Sequence, residues 1–444
     1  MDDWGTTSAS DRTGVAELAP DPGPSVLRDC ADAETHVGSI CFKHGPPRLL
    51  GTELEWLLYR PSDPATAPDA ATLAAALGPY APASLDPDSP ARALPSGSTV
   101  TLEPGGQIEL ASPPLPDLDG LLRVVRSDIA ALHGMLAGHG LHPSSRAADA
   151  VRPPRRVLEL PRYRAMEQSF DRRGPHGRSA MCSTAAVQVC VDAGEPHEVA
   201  GRWAAAHALG PVLLAAFANS PVLHGRRTGW KSSRWASWQN ADPARCAPPP
   251  LADATSSDPA AAWARRVVHS QVLTVRRERE WLVPKGVSFA DWIEGALPEP
   301  PTTADLEYHI TTLFPPVRPH GHLEIRYVDA QPGRRWALPV TVLTALLGDP
   351  AGIDGALAAC EPAQQRWTAA ARHGLADRVL ARAAGEVFEL ALGRLAGVGA
   401  PDWVVADLTD MTERQVLRGR CPADEADGPA DAADDPATPE ETVT

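Results

Sequence analysis

Four separated stretches alternate apolar and polar side chains at a period of two, as half-buried β-strands do. In residues 49–59, LLGTELEWLLY, Glu53 and Glu55 share one face while Leu54 and Trp56 take the other. Residues 101–110, TLEPGGQIEL, read as strand, Gly-Gly turn, strand. Gln107 and Glu109 point the same way beyond the turn, and Glu103 lies before it. Pro104 fixes φ there, while Gly105 and Gly106 permit positive φ and close backbone approach. Residues 181–192, MCSTAAVQVCVD, form a third strand with Gln188 between valines. Residues 323–328, LEIRYV, form a fourth. Its polar face carries Glu324 and Arg326, preceded by His322; Leu323, Ile325 and Tyr327 take the opposite face.

Between and after these strands the period changes to that of helices. Asp117 caps an amphipathic run through Leu118, Leu121, Leu122, Val125, Ile129, Leu132 and Leu136, stopped by Gly138 and Gly140. A short helix is expected near 70–77, inside an Ala/Pro/Asp-rich insertion spanning 61–95. Longer helices are expected over 196–219, 258–282, 339–347, 353–374, 375–395 and 402–418. Residues 152–178 are arginine-rich and loop-like. Residues 224–246 hold Gly, Trp and Arg without clear periodicity, a composition that in long structured segments often serves function.

These elements predict an α+β fold: one largely antiparallel sheet, its apolar face on helices and its polar face lining a concave site. The 444 residues divide into an N-terminal arm (1–45), peripheral or partly disordered with a possible short helix over 24–33, a catalytic domain (46–420) and a disordered acidic tail (421–444). The net charge of −15 comes from 41 basic and 56 acidic residues, and eight of those acids fall after Arg420. Without a basic face, general nucleic-acid affinity is not expected. The seven cysteines are scattered, odd in number and free of any CxxC pair, which argues for reduced thiols rather than a disulfide framework or zinc site. No signal-peptide pattern and no membrane-length apolar run occurs, so the expected location is cytoplasmic, with no membrane attachment.

The polar faces carry the chemistry. Glu53, Glu55, Glu103, Glu109 and Glu324 cannot converge unneutralised, because like charges raise one another's pKa. Hard divalent cations with oxygen ligands resolve this, and arginines nearby suit a nucleoside triphosphate undergoing phosphoryl transfer. There is no Walker A or kinase-type glycine-rich loop, so a P-loop fold is excluded.

Four motifs in order resemble the plant/proteobacterial-type glutamate–cysteine ligases: GTELEW, TLEPGGQIELAS, FANSPVLHGRRTGWKSSRWASWQNADPAR and HITTLFPPVRPHGHLEIRYVDAQ. Together they span roughly residues 47–400, and the Ala/Arg/Pro-rich character is similar to the actinobacterial members that supply γ-glutamylcysteine for ergothioneine. The resemblance implies a glutamine-synthetase-like half-barrel sheet with helices on its outer face. It also implies ATP-dependent joining of the glutamate γ-carboxylate to the cysteine amine through γ-glutamyl phosphate, with two or three Mg²⁺ ions and ATP as co-substrate. Carried over by position, it makes Glu53, Glu55, Glu103, Glu109, Glu324 and, with less weight, Gln188 metal ligands. Glu53 and Arg326 become catalytic, with Arg326 steadying the transferred phosphate and, together with Glu324, lying against ATP. Arg234 would take the glutamate α-carboxylate, where a bidentate guanidinium fits. Trp238, Ser233 and Gln107 would line the amino-acid site. Cys190 stands where relatives usually have Asn, which removes any substrate contact expected of that amide. The expected partners are small-molecule substrates (L-glutamate, L-cysteine, ATP), with no obligate protein partner. Two other readings stay open on the residues alone: a ligase joining glutamate to a different amine, and a non-catalytic nucleotide- or amino-acid-binding protein.

Overall fold

A computed structural model of the chain describes residues 23–277 and 281–425. Six strands form one antiparallel sheet: β1 (Leu50–Trp56), β2 (Thr99–Leu102), β3 (Ile108–Ala111), β4 (Ala186–Val191), β5 (Val317–Pro319) and β6 (Leu323–Asp329), in the order β2-β3-β1-β4-β6-β5. The period-two pattern sets its two faces. Leu54, Val100, Leu102, Ile108, Leu110, Val187, Val189, Val191, Leu323 and Ile325 are buried on one side. On the other, register places Glu55 opposite Glu109 and Glu53 opposite Gln188.

Six helices matter to this account: α1 (Cys30–Cys41), α2 (Leu118–Ala137), α3 (Val199–Ala216), α4 (Ser233–Ala241), α5 (Pro259–His269) and α6 (Ala337–Leu347). α2, α3 and α6 meet the sheet strands. α2 starts at its Asp117 cap, whose side chain accepts from the Gly120 amide. α3 and α6 are apolar almost all round and buried throughout most of their length, as helices enclosed by others must be. Tyr327 donates to the Ala206 carbonyl of α3 at 3.1 Å, tying β6 to that layer. Among the described residues no single helix is long and apolar enough to cross a membrane.

β6 departs from simple alternation. Ile325 pairs with Val189 but Val328 pairs with Val187, so Arg326 and Tyr327 together oppose the single residue Gln188. This β-bulge shifts the phase by one, and Asp329 pairs with Ala186 on the Gln188 side of the sheet.

Several boundaries correct the sequence expectations. The arm expected at 1–45 includes α1, whose Ala33, Val37 and Cys41 repeat every four residues and are buried in a helix packed against α5; residues 1–22 lie outside the described residues. Residues 421–425, expected within the tail, are instead structured, with Cys421, Pro422 and Ala423 buried in a turn; residues 426–444 lie outside the described residues. The strand expected from 181 begins at 186, since Met181 and Cys182 end a short helix, His176–Cys182. That helix and Pro161–Asp171 also structure the arginine-rich segment, where Arg156 pairs with Glu159 and Glu167. The helix expected over 258–282 stops at His269, and the one over 353–374 breaks between Cys360 and Trp367 around Pro362. The helix at 70–77 and the Asp117 cap are as expected.

Trp367 is wedged against α3 at Gly210, where an added Cβ would lie 1.9 Å from the indole. Gly210→Ala overpacks this contact and is expected to cost about 1–3 kcal/mol. A lowered urea midpoint with unchanged m-value is the expected result; an unshifted midpoint contradicts the packing described.

Candidate functional site

The hairpin between β2 and β3 builds one side of the site. Its turn is closed by the Gln107 carbonyl accepting from the Glu103 amide and the Glu103 carbonyl accepting from the Gly106 amide, both 2.9 Å. Gly106 has φ +83°, and a Cβ on Gly105 would come within 2.3 Å of the Cys182 carbonyl oxygen. Both glycines are therefore required by backbone geometry, one for its torsion and one for its closeness to the entry of β4. The turn also holds the start of the arginine-rich segment, since the Val157 and Leu158 amides donate to the Pro104 carbonyl.

This places three carboxylates together. Glu55, Glu103 and Glu109 each offer an oxygen within 4.8 Å of the others. Few partners neutralise them. Glu109 accepts from the Thr101 hydroxyl at 2.5 Å, and Glu55 accepts from Gln188 Nε2 and the Ala186 amide, both at 2.9 Å. Burial and the neighbouring acids hold Glu103 up at about 7 and Glu109 up at about 8. Burial raises Glu55 as well, with Arg234 and Arg326 opposing the shift. Glu53 sits on the same face and is raised well above the carboxylate range by burial, then by Glu109 and Glu324.

From this triad a hydrogen-bonded row runs across β4 and β6. Gln188 donates to Glu55 while its Oε1 accepts from Arg326. Arg326 also bonds Glu324, which is held from the far side by Arg318 in a two-pronged pair at 2.7 and 2.9 Å. Burial disfavours the Glu324 anion, but Arg318 and Arg326 outweigh it and hold the group below the usual carboxylate range. Thus Glu55, Glu103 and Glu109 of the expected ligand set are brought together, whereas Glu324 is committed to two arginines and the Gln188 oxygen to one. Glu53 and Glu324 flank the triad on the same sheet face rather than joining it.

α4 forms the opposite wall. The Gly/Trp/Arg-rich segment gave no periodicity, yet residues 233–241 are helical because Ser232 caps them, accepting from the Trp235 amide. Arg234 is 5 % exposed and donates to the Arg326 carbonyl at 2.8 Å, while its Nε has no partner. Arg234, Trp238, Gln239, Phe314 and Arg326 line a narrow cleft. Trp238 is fixed by its indole N–H on the Thr184 hydroxyl at 3.2 Å and lies 5.0 Å from the Phe314 ring. The other two expected substrate residues are engaged with protein. Gln107 Nε2 donates to the Met181 and Thr184 carbonyls, and the Ser233 hydroxyl pairs with that of Thr228 at 2.6 Å.

Three further residues shape the site without having been singled out from the sequence. Asp329, fully buried, accepts from the Asn219 amide and the Ser220 and Ser232 hydroxyls, and faces Arg234 at 3.9 Å. Arg245 pairs with Asp242 and donates to the Thr312 carbonyl and hydroxyl, so the segment carrying Phe314 docks beneath α4. Arg318 anchors Glu324. All three stand inside the motif strings quoted above as arginines and an aspartate; their partners depend on tertiary contacts that spacing does not encode.

Residues 49–426 match the family described as Glutamate-cysteine ligase family 2 (GCS2). The chain is 38% identical over 412 residues to the glutamate–cysteine ligase EgtA of Mycobacterium tuberculosis (strain ATCC 25618 / H37Rv), covering 91% of each. It is 38% identical over 407 residues to EgtA of Mycolicibacterium smegmatis, covering 90% of this chain and 92% of the relative. A chloroplastic glutamate–cysteine ligase of Solanum lycopersicum is 30% identical over 294 residues, 63% of this chain and 54% of that protein. Among solved structures, the glutamate–cysteine ligase of Francisella tularensis in complex with AMP shares the fold at a TM-score of 0.52 and 13% identity, over 86% of this chain and 84% of that one. With its motifs gathered on the sheet and on α4 facing it, and 91% of its length matched, the chain belongs to glutamate–cysteine ligase family 2.

Proposed function

We propose that the protein joins the γ-carboxylate of L-glutamate to the amine of L-cysteine at the expense of ATP, giving γ-glutamylcysteine for ergothioneine biosynthesis. The observation that carries this reading is the convergence of Glu55, Glu103 and Glu109 beside a cleft walled by Arg234, Trp238 and Phe314. Three carboxylates, Glu55 buried and Glu103 and Glu109 half-buried, with few donors between them are a set suited to a hard divalent cation, and Mg²⁺ fits them. When bound, Mg²⁺ supplies charge neutralisation for the ATP phosphates.

The chain's own residues do the positioning. Arg234, buried with an unpartnered Nε at the cleft, pairs with the glutamate α-carboxylate. The faces of Trp238 and Phe314 restrict the amino acid to one orientation. Arg326, at the junction of cleft and triad, steadies the phosphoryl group as it passes from ATP to the γ-carboxylate. That carboxylate attacks the γ-phosphorus and ADP leaves. The cysteine amine then attacks the acyl carbon, and phosphate departs carrying one oxygen that began in glutamate. Activation is needed because an oxide ion is a very poor leaving group, whereas phosphate is a good one. Enclosure between α4 and the sheet keeps water from the acyl phosphate.

Two measurements test this. With glutamate labelled by ¹⁸O in the γ-carboxylate, mass spectrometry should find one heavy oxygen in the released phosphate and a γ-glutamylcysteine product. Unlabelled phosphate would contradict the acyl-phosphate route, and turnover with methylamine but not cysteine would shift the acceptor. Separately, Glu109→Gln should act in opposite directions on the metal-free and Mg²⁺-bound protein. Removing one of three crowded acids relieves repulsion, so the metal-free form melts higher. The rise in melting temperature on adding MgCl₂ shrinks, because a ligand is lost. An Mg²⁺ increment equal to that of the parent would remove Glu109 from the metal site.

A further inference from the structure

The loop that delivers Arg234 is gripped from two sides. From within, Asp329 gathers Asn219, Ser220 and Ser232, and the Ser220 hydroxyl in turn accepts from the Arg234 amide at 3.1 Å. The neighbouring Lys231 and Ser232 amides both donate to the Ala371 carbonyl at 2.9 Å. From outside comes the chain end that was expected to be disordered. Cys421 and Ala423 pack with Ala218, one residue before Asn219, and the Ala423 amide donates to the Ala218 carbonyl at 2.9 Å. Asp424 closes the turn by accepting from the Cys421 amide at 2.9 Å, and it forms an ion pair with Lys231. Glu425 is held by Gln415 at 2.8 Å and faces Arg335 at 3.6 Å. Gly374, at φ +56°, leaves room for the Cys421 sulfur and the Lys231 stem, each just over 3 Å from where its Cβ would lie.

We propose that residues 421–425 form a strap belonging to the substrate site, with Lys231 and Asp424 as positioning residues that act through Arg234. This rests on the assignment of Arg234 to the glutamate α-carboxylate. Lys231 lies three residues before Arg234, and its backbone carbonyl accepts from the Ser220 amide at 3.0 Å. Pulling Lys231 toward Asp424 therefore sets the register of the same two strands of loop that Asp329 holds from inside. The pair is 28 % and 26 % exposed, too wet for a large effect and dry enough for a measurable one.

The test is steady-state kinetics of the full chain, with glutamate, cysteine and ATP varied separately. Asp424→Asn and Lys231→Met should each raise KM for glutamate about fivefold, with kcat and KM for ATP within about twofold of the parent. Asp424→Glu, which keeps a carboxylate for both Lys231 and the Cys421 amide, should recover most of the loss in glutamate KM. A lowered melting temperature with an unchanged glutamate KM overturns the strap as a positioning element, and so does an Asp424→Glu variant whose glutamate KM is as high as that of Asp424→Asn. Arg234→Ala separates the two levels. If it raises glutamate KM while Asp424→Asn does not, the strap alone is wrong. If Arg234→Ala leaves glutamate KM unchanged, the assignment beneath both is wrong and the strap falls with it.

Discussion

Carboxylates packed onto one face of a buried sheet repel one another and lose hydration at the same time, and this structure meets that cost in two different ways. On β6, Glu324 is neutralised within the protein by Arg318 and Arg326. Between the hairpin and β1, Glu55, Glu103 and Glu109 are supported, among the described residues, by a hydroxyl, an amide and one backbone N–H; burial pushes all three toward the neutral form, and neighbouring acids add to the push on Glu103 and Glu109. A folded protein tolerates such frustration where a ligand relieves it, and the position of the frustrated acids therefore marks where positive charge must come from outside. Arg326 and Gln188 join the satisfied acid to the unsatisfied ones, so a change of charge at the triad is felt at the cleft.

The scaffold around this face is mostly a device for holding loops. The sheet fixes the acids by register, but Arg234, Trp238 and Phe314 arrive on segments far apart in sequence. Buried polar hubs compensate for the absence of regular ladders there: Asp329 for the segment after α3, and Arg245 for the segment before β5. Each hub satisfies several donors or acceptors at once, which fixes a loop more firmly than apolar contact alone.

The sheet was readable because its strands alternate regularly up to the bulge in β6 and its apolar face is valine- and leucine-rich. Glu53, Glu55, Glu103, Glu109 and Glu324 all lie on the face that alternation assigned them. Alternation says nothing about which acids meet which cations, so the split between the triad and the Arg318-held Glu324 had to come from three-dimensional distances. The α4 segment hid because its tryptophans and polar residues do not repeat at a helical period, even though Ser232 is an ordinary cap. α1 was underestimated for a different reason: its apolar face has one residue per turn, Ala33, Val37 and Cys41, set among polar residues, yet it packs against α5.

The bulge in β6 has a consequence for how this family can diverge. Exposed surface loops can grow or shrink at little thermodynamic expense. The segment between Ile325 and Asp329 has no such freedom. Were Arg326 and Tyr327 to pair with separate residues of β4 in plain alternation, Asp329 would turn toward the helices and leave Asn219, Ser220 and Ser232 without their shared acceptor. A one-residue slip in this pairing would therefore dismantle a loop about a hundred residues away in sequence, and descendants should keep the bulge even where its side chains drift.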